Sequence, residues 1–393
     1  MTRTESRPGR IALMACHCAG MVDLVALPVW VGTLVAQYGL DPQQAGALAT
    51  LFLAGAVASS VFFAARFDRM RGRIAAPVGF AVAALAFLGA SATADYATMA
   101  ALHALAGMAA SCSLSFTHGT IGRSRNPHRL FAVVGMALGV FAIVFLGATP
   151  KLVAAAGGPA LFKVFAAVMA TAAVLAAVAF PLPDPVHEAS AHRGGAPFDA
   201  AVWYGIVGVS CMALVQAMTF SFVERIGTDR GFGLDAVTGV LIALGFVNLF
   251  PSLLASLLQQ RWTARSVVLA GPVAQAAVVL LITQSSTFAP YAAGASMLAA
   301  VMIFTHTFAF GLLARLDGSG CALAATPATL MVGAAIGPVL GGTLVKSLGY
   351  GSLGVAAVAF AALAVFCFSR AGRRGALAGT AQFSPTRHPG AHP

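Results

Sequence analysis

Twelve apolar runs of about twenty residues, divided by short polar stretches, constrain this chain more than any motif in it. At 1.5 Å of rise per residue, a helix of about 20 residues crosses a hydrocarbon layer about 30 Å thick. The runs fall near residues 11–36, 43–65, 75–93, 98–120, 130–149, 159–181, 201–223, 236–258, 266–284, 290–313, 323–346 and 350–369. Lipid offers no water to satisfy a backbone, so spanning segments are helices or closed barrels, and the alternating pattern of a barrel strand is absent. The composition agrees: 59% of the 393 residues are hydrophobic and 9% charged, where a soluble domain carries roughly 25% charged residues. The expected fold class is all-α integral membrane, with 12 transmembrane helices.

Net charge is +11, but its placement argues against a nucleic-acid partner, which would need a basic face on a soluble module. Of the 23 Lys and Arg, all but Lys151, Lys163, Arg225, Arg230 and Lys346 fall in the termini or in loops on the termini's side. That asymmetry is the positive-inside pattern, and it sets both termini in the cytoplasm, as for a multi-pass protein of a cell inner membrane. Residues 1–30 have a basic start and an apolar core like a signal peptide, yet the run is long and no small-x-small cleavage site follows promptly, so it is read as span 1. The six cysteines all sit in or beside spans, which implies no secreted disulfide framework.

Weak internal echoes point to a duplication. Gly39-Leu40-Asp41 leads into span 2 as Gly233-Leu234-Asp235 leads into span 8, an offset of 194. Tyr96 matches Tyr291 at 195, and Gly135 and Gly139 match Gly333 and Gly337 at 198. The expected organisation is two pseudo-symmetric six-helix bundles, 1–182 and 200–370, joined by a cytoplasmic linker over 183–199 rich in Pro, Gly, Ala and His. A tail over 371–393, polar and rich in Gly and Pro, is expected to be disordered.

Twelve spans, a central linker and a basic loop after span 2 together resemble the major facilitator superfamily over nearly the whole chain. That family's G-x-x-x-D-R-x-G-R-R loop corresponds here to Ala64-Ala65-Arg66-Phe67-Asp68-Arg69-Met70-Arg71-Gly72-Arg73, with Ala for the first Gly and one extra residue between Asp68 and Gly72. The resemblance implies a gate at the cytoplasmic mouth built on Asp68, Arg69 and Arg73; plain topological anchoring is the other reading of these charges. Gly333-Ala-Ala-Ile-Gly337-Pro338-Val-Leu-Gly341-Gly342 looks like the family's G-x-x-x-G-P-x-x-G-G pattern, a close-packing element with a proline kink, here in span 11 rather than span 5. In span 4, His103-Ala-Leu-Ala-Gly107 stands where many exporters of the family carry R-x-x-x-G, and histidine replaces a permanent charge with a group that titrates near neutral pH in water. The short chain and short loops look most like the bacterial drug and metabolite:proton antiporters.

Ionisable groups inside an apolar span are costly and call for a purpose or a partner. Asp23 sits near the middle of span 1 and reads as the only carboxylate well inside a span. Helical spacing puts Cys16 and Trp30 on its face, a stripe able to line a cavity. Proton coupling or substrate binding is the preferred role for Asp23, and a hydrogen bond to a neighbouring helix is the other. His103 in span 4, His306 in span 10 and Gln216 in span 7 join Asp23 and Trp30 as candidate coupling or substrate residues, with His118 a weaker one near the cytoplasmic end of span 4. Cys16, His17 and Cys18 cannot chelate one metal ion from an intact helix, because successive residues point about 100° apart. Neither a metal nor a cofactor is expected, and no nucleotide-binding or hydrolase motif appears in a usable context.

The sequence thus leads to a secondary transporter, not an enzyme, acting by alternating access. The preferred version is proton-coupled efflux of a small amphipathic or aromatic compound by a monomer in lipid. Proton-linked uptake of an aromatic acid is the alternative, since Asp23-Leu24-Val25-Ala26 resembles the D-L-x-A segment of aromatic-acid symporters, with Ala19 where their second Asp would stand. An intramembrane sensor or enzyme is the alternative from another class.

Overall fold

Apolar helix formers fill the spans, and the polar residues between them start and stop the helices. The computed structural model describes residues 3–64, 66–182, 199–316 and 321–381, and among these the regular structure is helical. Twelve stretches are long and apolar enough to cross a membrane. The first is two helices in line, α1 (Arg7–Gly20) and α2 (Val22–Tyr38). Five more follow in the first half: α3 (Pro42–Ala64), α4 (Gly72–Ala90), α5 (Tyr96–Gly122), α6 (Pro127–Ala156) and α7 (Pro159–Ala179). The seventh span is again double, α8 (Ala200–Phe220) with α9 (Val223–Asp229), and the eighth joins α10 (Leu234–Val247) to α11 (Pro251–Leu258). The last four are α12 (Ala264–Gln284), α13 (Phe288–Leu316), α14 (Cys321–Leu348) and α15 (Gly351–Ala381).

Capping follows the sequence. Ser6, Asp95, Asn126 and Thr263 each accept a hydrogen bond from a backbone N–H in the first turn of α1, α5, α6 and α12. The two Gly-Leu-Asp segments share a positive φ at their glycine but not the rest of the turn: Gly39 ends α2 at φ 65°, ψ 19°, and Gly233 precedes α10 at φ 83°, ψ 147°, both in a region that favours glycine.

Within the first half α5 packs on α3 and α4, and α4 on α7; within the second, α8 packs on α14 and α15, and α12 on α13 and α15. The halves meet along α3 with α14 and α6 with α10, and α2 touches α9. The glycine-rich stretch of α14 serves two of these contacts from two faces. Gly333, Gly337 and Gly341 lie on α8, where a methyl group on Gly333 would stand 2.2 Å from the Ser210 carbonyl oxygen. Gly342 and Pro338 face α3 in the other half. Gly342 lies under the Pro42 carbonyl and Gly46 under the Pro338 carbonyl, so that a methyl group on either would come within 2.1 Å of that oxygen. The clasp is reciprocal: Pro42 and Gly46, like Pro338 and Gly342, are one helical turn apart.

Three expectations are corrected. Span 1 is not one helix but bends at Met21 (φ −108°, ψ 20°). Span 7 does not end at residue 223 but bends at Phe222 (φ −111°, ψ 1°) and runs on to Asp229. Beside that bend Ser221 turns its hydroxyl back onto the Ala217 carbonyl at 2.7 Å, a bond that competes with the helical ladder. Finally, α15 continues to Ala381, so the expected unstructured tail does not start at Ala371; the intervening residues include four alanines, the best helix formers. Residues 183–198 of the expected linker and 382–393 of the tail lie outside the described residues.

Candidate functional site

Each half carries one acidic residue in the first turn after its bend. Asp23 follows Met21 and Glu224 follows Phe222, both by two residues. A fresh helix start leaves backbone N–H groups without intrahelical acceptors, a favourable setting for a carboxylate. Asp23 is buried in this setting, with the backbone N–H groups of Asp23 and Leu24 close to its carboxylate. Glu224 does not complete such a set. Its Oε2 is shut off from solvent, has no hydrogen-bond partner, and lies against Gly32 of α2 so closely that a methyl group there would be 1.7 Å away. Sequence reading missed Glu224 because the adjacent Glu224-Arg225 pair ended the apolar run; the matching distance from a second bend was the signal available.

Trp30, two turns beyond Asp23, points into the first half. It is fully buried, with edge-on contacts to Phe52, Phe87 and Phe165. Its indole Nε1 donates to His103 Nε2 at 3.2 Å, and His103 Nδ1 lies 2.7 Å from the Met99 carbonyl. A carbonyl only accepts, so Nδ1 carries the hydrogen and Nε2 is free to accept: the ring is neutral with both nitrogens satisfied. The stripe expected to line a cavity is therefore, at Trp30, a sealed aromatic core.

The remaining candidates are dispersed. Gln216 of α8 accepts a long bond from Gln275 of α12 at 3.5 Å, while Gln275 also donates to the Met212 carbonyl at 3.1 Å. Gln275 is buried beside Cys211, Val215, Pro272 and Phe360 and was not singled out in the sequence. His306 of α13 bonds the Met302 carbonyl at 3.0 Å and packs on Phe310. Near the start of span 1, His17 Nδ1 meets His118 Nε2 of α5 at 3.0 Å, a pairing across 101 residues.

Polar contacts between the halves gather at the face opposite the chain's start, here termed the far face. Lys346 pairs with Asp41 at 2.9 Å and Lys151 with Asp235 at 3.6 Å. Deeper in, the Thr50 hydroxyl donates to the Ala335 carbonyl at 2.7 Å and accepts from the Val339 N–H at 3.1 Å. Gly147 against Ile242 and Gly245 against Ile143 add close apolar contacts between α6 and α10. With the proline–glycine clasp and Glu224 on Gly32, these contacts hold the far ends of the two bundles together.

The family described as Major Facilitator Superfamily matches residues 12–326. The chain belongs to the major facilitator superfamily. Solved structures with the same fold include a bacterial homologue of the human lysosomal transporter Spinster in an inward-facing, occupied conformation, at TM-score 0.76 and 12% identity over 97% of this chain and 100% of that one. The nucleoside transporter NupG superposes at TM-score 0.71 with 14% identity, over 93% and 98% of the two chains. No curated protein sequence matches the chain.

In this superfamily member the loop after span 2 is the short turn Phe67–Arg69. Phe67 stacks on Phe116 of α5 and lies beneath the Arg123 guanidinium, which seats the turn on its own half. Arg69 and Arg73 are exposed, and the side chain of Asp68 lies outside what the structure describes. Among the described residues no cluster of three or more metal-ligating side chains occurs.

Proposed function

We propose that this superfamily member is a proton-coupled secondary transporter that exports a small amphipathic or aromatic organic compound by alternating access, with Asp23 as the coupling carboxylate. The observation that carries the reading is Asp23 itself, buried at 7% exposure midway along a membrane span. A carboxyl group at that depth persists where it does work, and proton exchange is the work open to it when its partners are backbone N–H groups. Few fixed charges and many aromatic rings in the interior favour an apolar cargo over a polar one. The arginine-rich termini and loops support a topology in which the far face looks to the outside of an inner membrane and both termini lie in the cytoplasm. Asp68, Arg69 and Arg73 then serve the cytoplasmic mouth. Trp30 and His103, with every hydrogen bond made, hold α2 in place rather than meet cargo, while Gln216 and His306 stay as candidate cargo contacts in the second half. The Asp23-Leu24-Val25-Ala26 segment supports proton-linked uptake of an organic acid as the second reading.

Reconstitution tests both. Asp23→Asn keeps the shape of the side chain but fixes it neutral. The variant is expected to exchange labelled substrate between two pools while losing at least about tenfold in accumulation driven by a pH difference, one proton being worth a factor of ten per pH unit. Accumulation equal to wild type, at equal protein content, would return Asp23 to a structural role; the pH polarity that drives accumulation separates export from uptake. Orientation is read from a thiol at Arg193→Cys in a cysteine-free chain, which an impermeant reagent should reach only from the cytoplasmic side. Labelling from outside overturns that topology.

A further inference from the structure

Glu224 stands apart from every other carboxylate described. Asp41, Asp229 and Asp235 have cationic partners and Asp23 has backbone N–H groups close by, whereas Glu224 Oε2 is sealed against Gly32 of the opposite half with no hydrogen-bond donor. The cations nearby make no ion pair with it: Arg225 leaves its Nε buried without a hydrogen-bond partner, Arg230 donates to the Ile282 and Thr283 carbonyls, and from α10 Asp235 pairs with Lys151. On its own helix Arg225 is engaged by Asp229 at 2.7 Å, and Asp229 also accepts from the Tyr350 hydroxyl of α15. From α13, Tyr291 spends its hydroxyl hydrogen on the Val223 carbonyl at 2.8 Å. From α2 the contact is Gly32, which brings no titratable group. An ionised oxygen cannot be lodged cheaply in such a seat, while a neutral carboxyl group can. The seat exists only while α2 and α9 touch, because separating the halves at the far face takes Gly32 away and lets water reach the oxygen.

We propose that Glu224 is a proton-operated latch of the far face: it binds one proton as the halves close there and gives it up as they part. The latch rests on the alternating-access reading above but not on Asp23 carrying the coupling proton. Linkage then fixes the sign. Closure takes up a proton, so acid favours the closed far face and alkali the open one, with at most about a tenfold change in the closed-to-open ratio per pH unit for a single group. Gly32 is the other half of the device, since any side chain there would occupy the place of the carboxyl group.

The test measures closure directly, without substrate or gradient, so it stands or falls separately from the transport assay. Spin labels at Ala94→Cys and Ser286→Cys, exposed positions of the two halves at the far face, report the gap in a chain whose native cysteines are replaced. In the Glu224-containing chain the short-distance population should fall severalfold between about pH 5.5 and about pH 7.5, within the ceiling for one linked proton. Glu224→Gln, neutral at every pH, should keep the short distance at both. Gly32→Ala should lose the short distance at both, and adding Glu224→Ala should restore it by emptying the seat. The proposal is overturned if Glu224→Gln retains the wild-type pH response, or if Gly32→Ala closes as readily as the parent. Elution as a single monodisperse species establishes that each variant is folded.

Discussion

Spans 1 and 7 are built alike and held differently. Both bend once, both place an acidic residue two positions after the bend, and both send their second segment toward the far face. Yet α2 is anchored inside its own bundle by Trp30 against three phenylalanine rings and His103, whereas α9 is held by the buried Tyr291 hydroxyl bond to Val223 and by contact with the opposite half. A duplicated scaffold has thus produced one fixed arm and one arm whose packing depends on the state of the other half. The asymmetry matters for alternating access, because a carboxylate on the fixed arm keeps its surroundings while one on the dependent arm changes them.

That contrast can be broken experimentally, and the largest effect should come from the fixed arm. Trp30→Ala empties a fully buried aromatic site and strips His103 of its donor, at a cost of about 3–5 kcal/mol of stability, seen as early thermal unfolding in detergent. A loss under about 1 kcal/mol would mean that α2 is not anchored by its own half. Tyr291→Phe is the matching change beside the dependent arm. It removes the donor to the buried Val223 carbonyl and is expected to cost about 1–3 kcal/mol in the same assay. If Tyr291→Phe proves as damaging as Trp30→Ala, the two arms are equally fixed and the comparison fails.

The smallest effect belongs to the rim. Lys346→Ala breaks the pair with Asp41, whose side chains are 47% and 32% exposed, and should cost less than about 1 kcal/mol after screening by solvent. Burial acts to raise the Asp41 pKa but is outweighed by hydrogen bonds from Lys346 and from the Gln44 N–H, so the carboxyl group titrates below its ordinary value of 3.8. A depressed carboxylate contributes stability above that ordinary value and loses it as pH falls through the folded one. The increment should therefore be constant from neutral pH down to about 4 and vanish below. A Lys346→Ala effect that grows in acid would contradict the pairing.

The twelve spans were legible because span length and hydropathy are local properties of the chain, and the Gly39 and Gly233 echoes were legible because a turn at positive φ demands the same residue in both halves. The depth of Asp23 could be counted along the sequence. The bend at Phe222 could not, since Ser221-Phe222 carries neither glycine nor proline and bends through a hydroxyl that returns to its own backbone. Glu224 was discounted for the same reason: with span 7 ended at residue 223, it read as a loop charge. The pairing of Trp30 with His103 spans 73 residues and joins side chains of α2 and α5 across the interior of the first half, which no pattern in either helix encodes.

The Thr50 contact bears on how the far face can reopen. Its hydroxyl bridges the Ala335 carbonyl and the Val339 N–H, which are the acceptor and donor that one regular turn of α14 would join to each other. When the halves part, no polar group of that turn is orphaned in the membrane, because the two can bond within their own helix. The closed face therefore gains registry from Thr50 without gaining much free energy, and a lock of that kind sets where two surfaces meet while leaving the two states near balance, within reach of a ligand or a single proton.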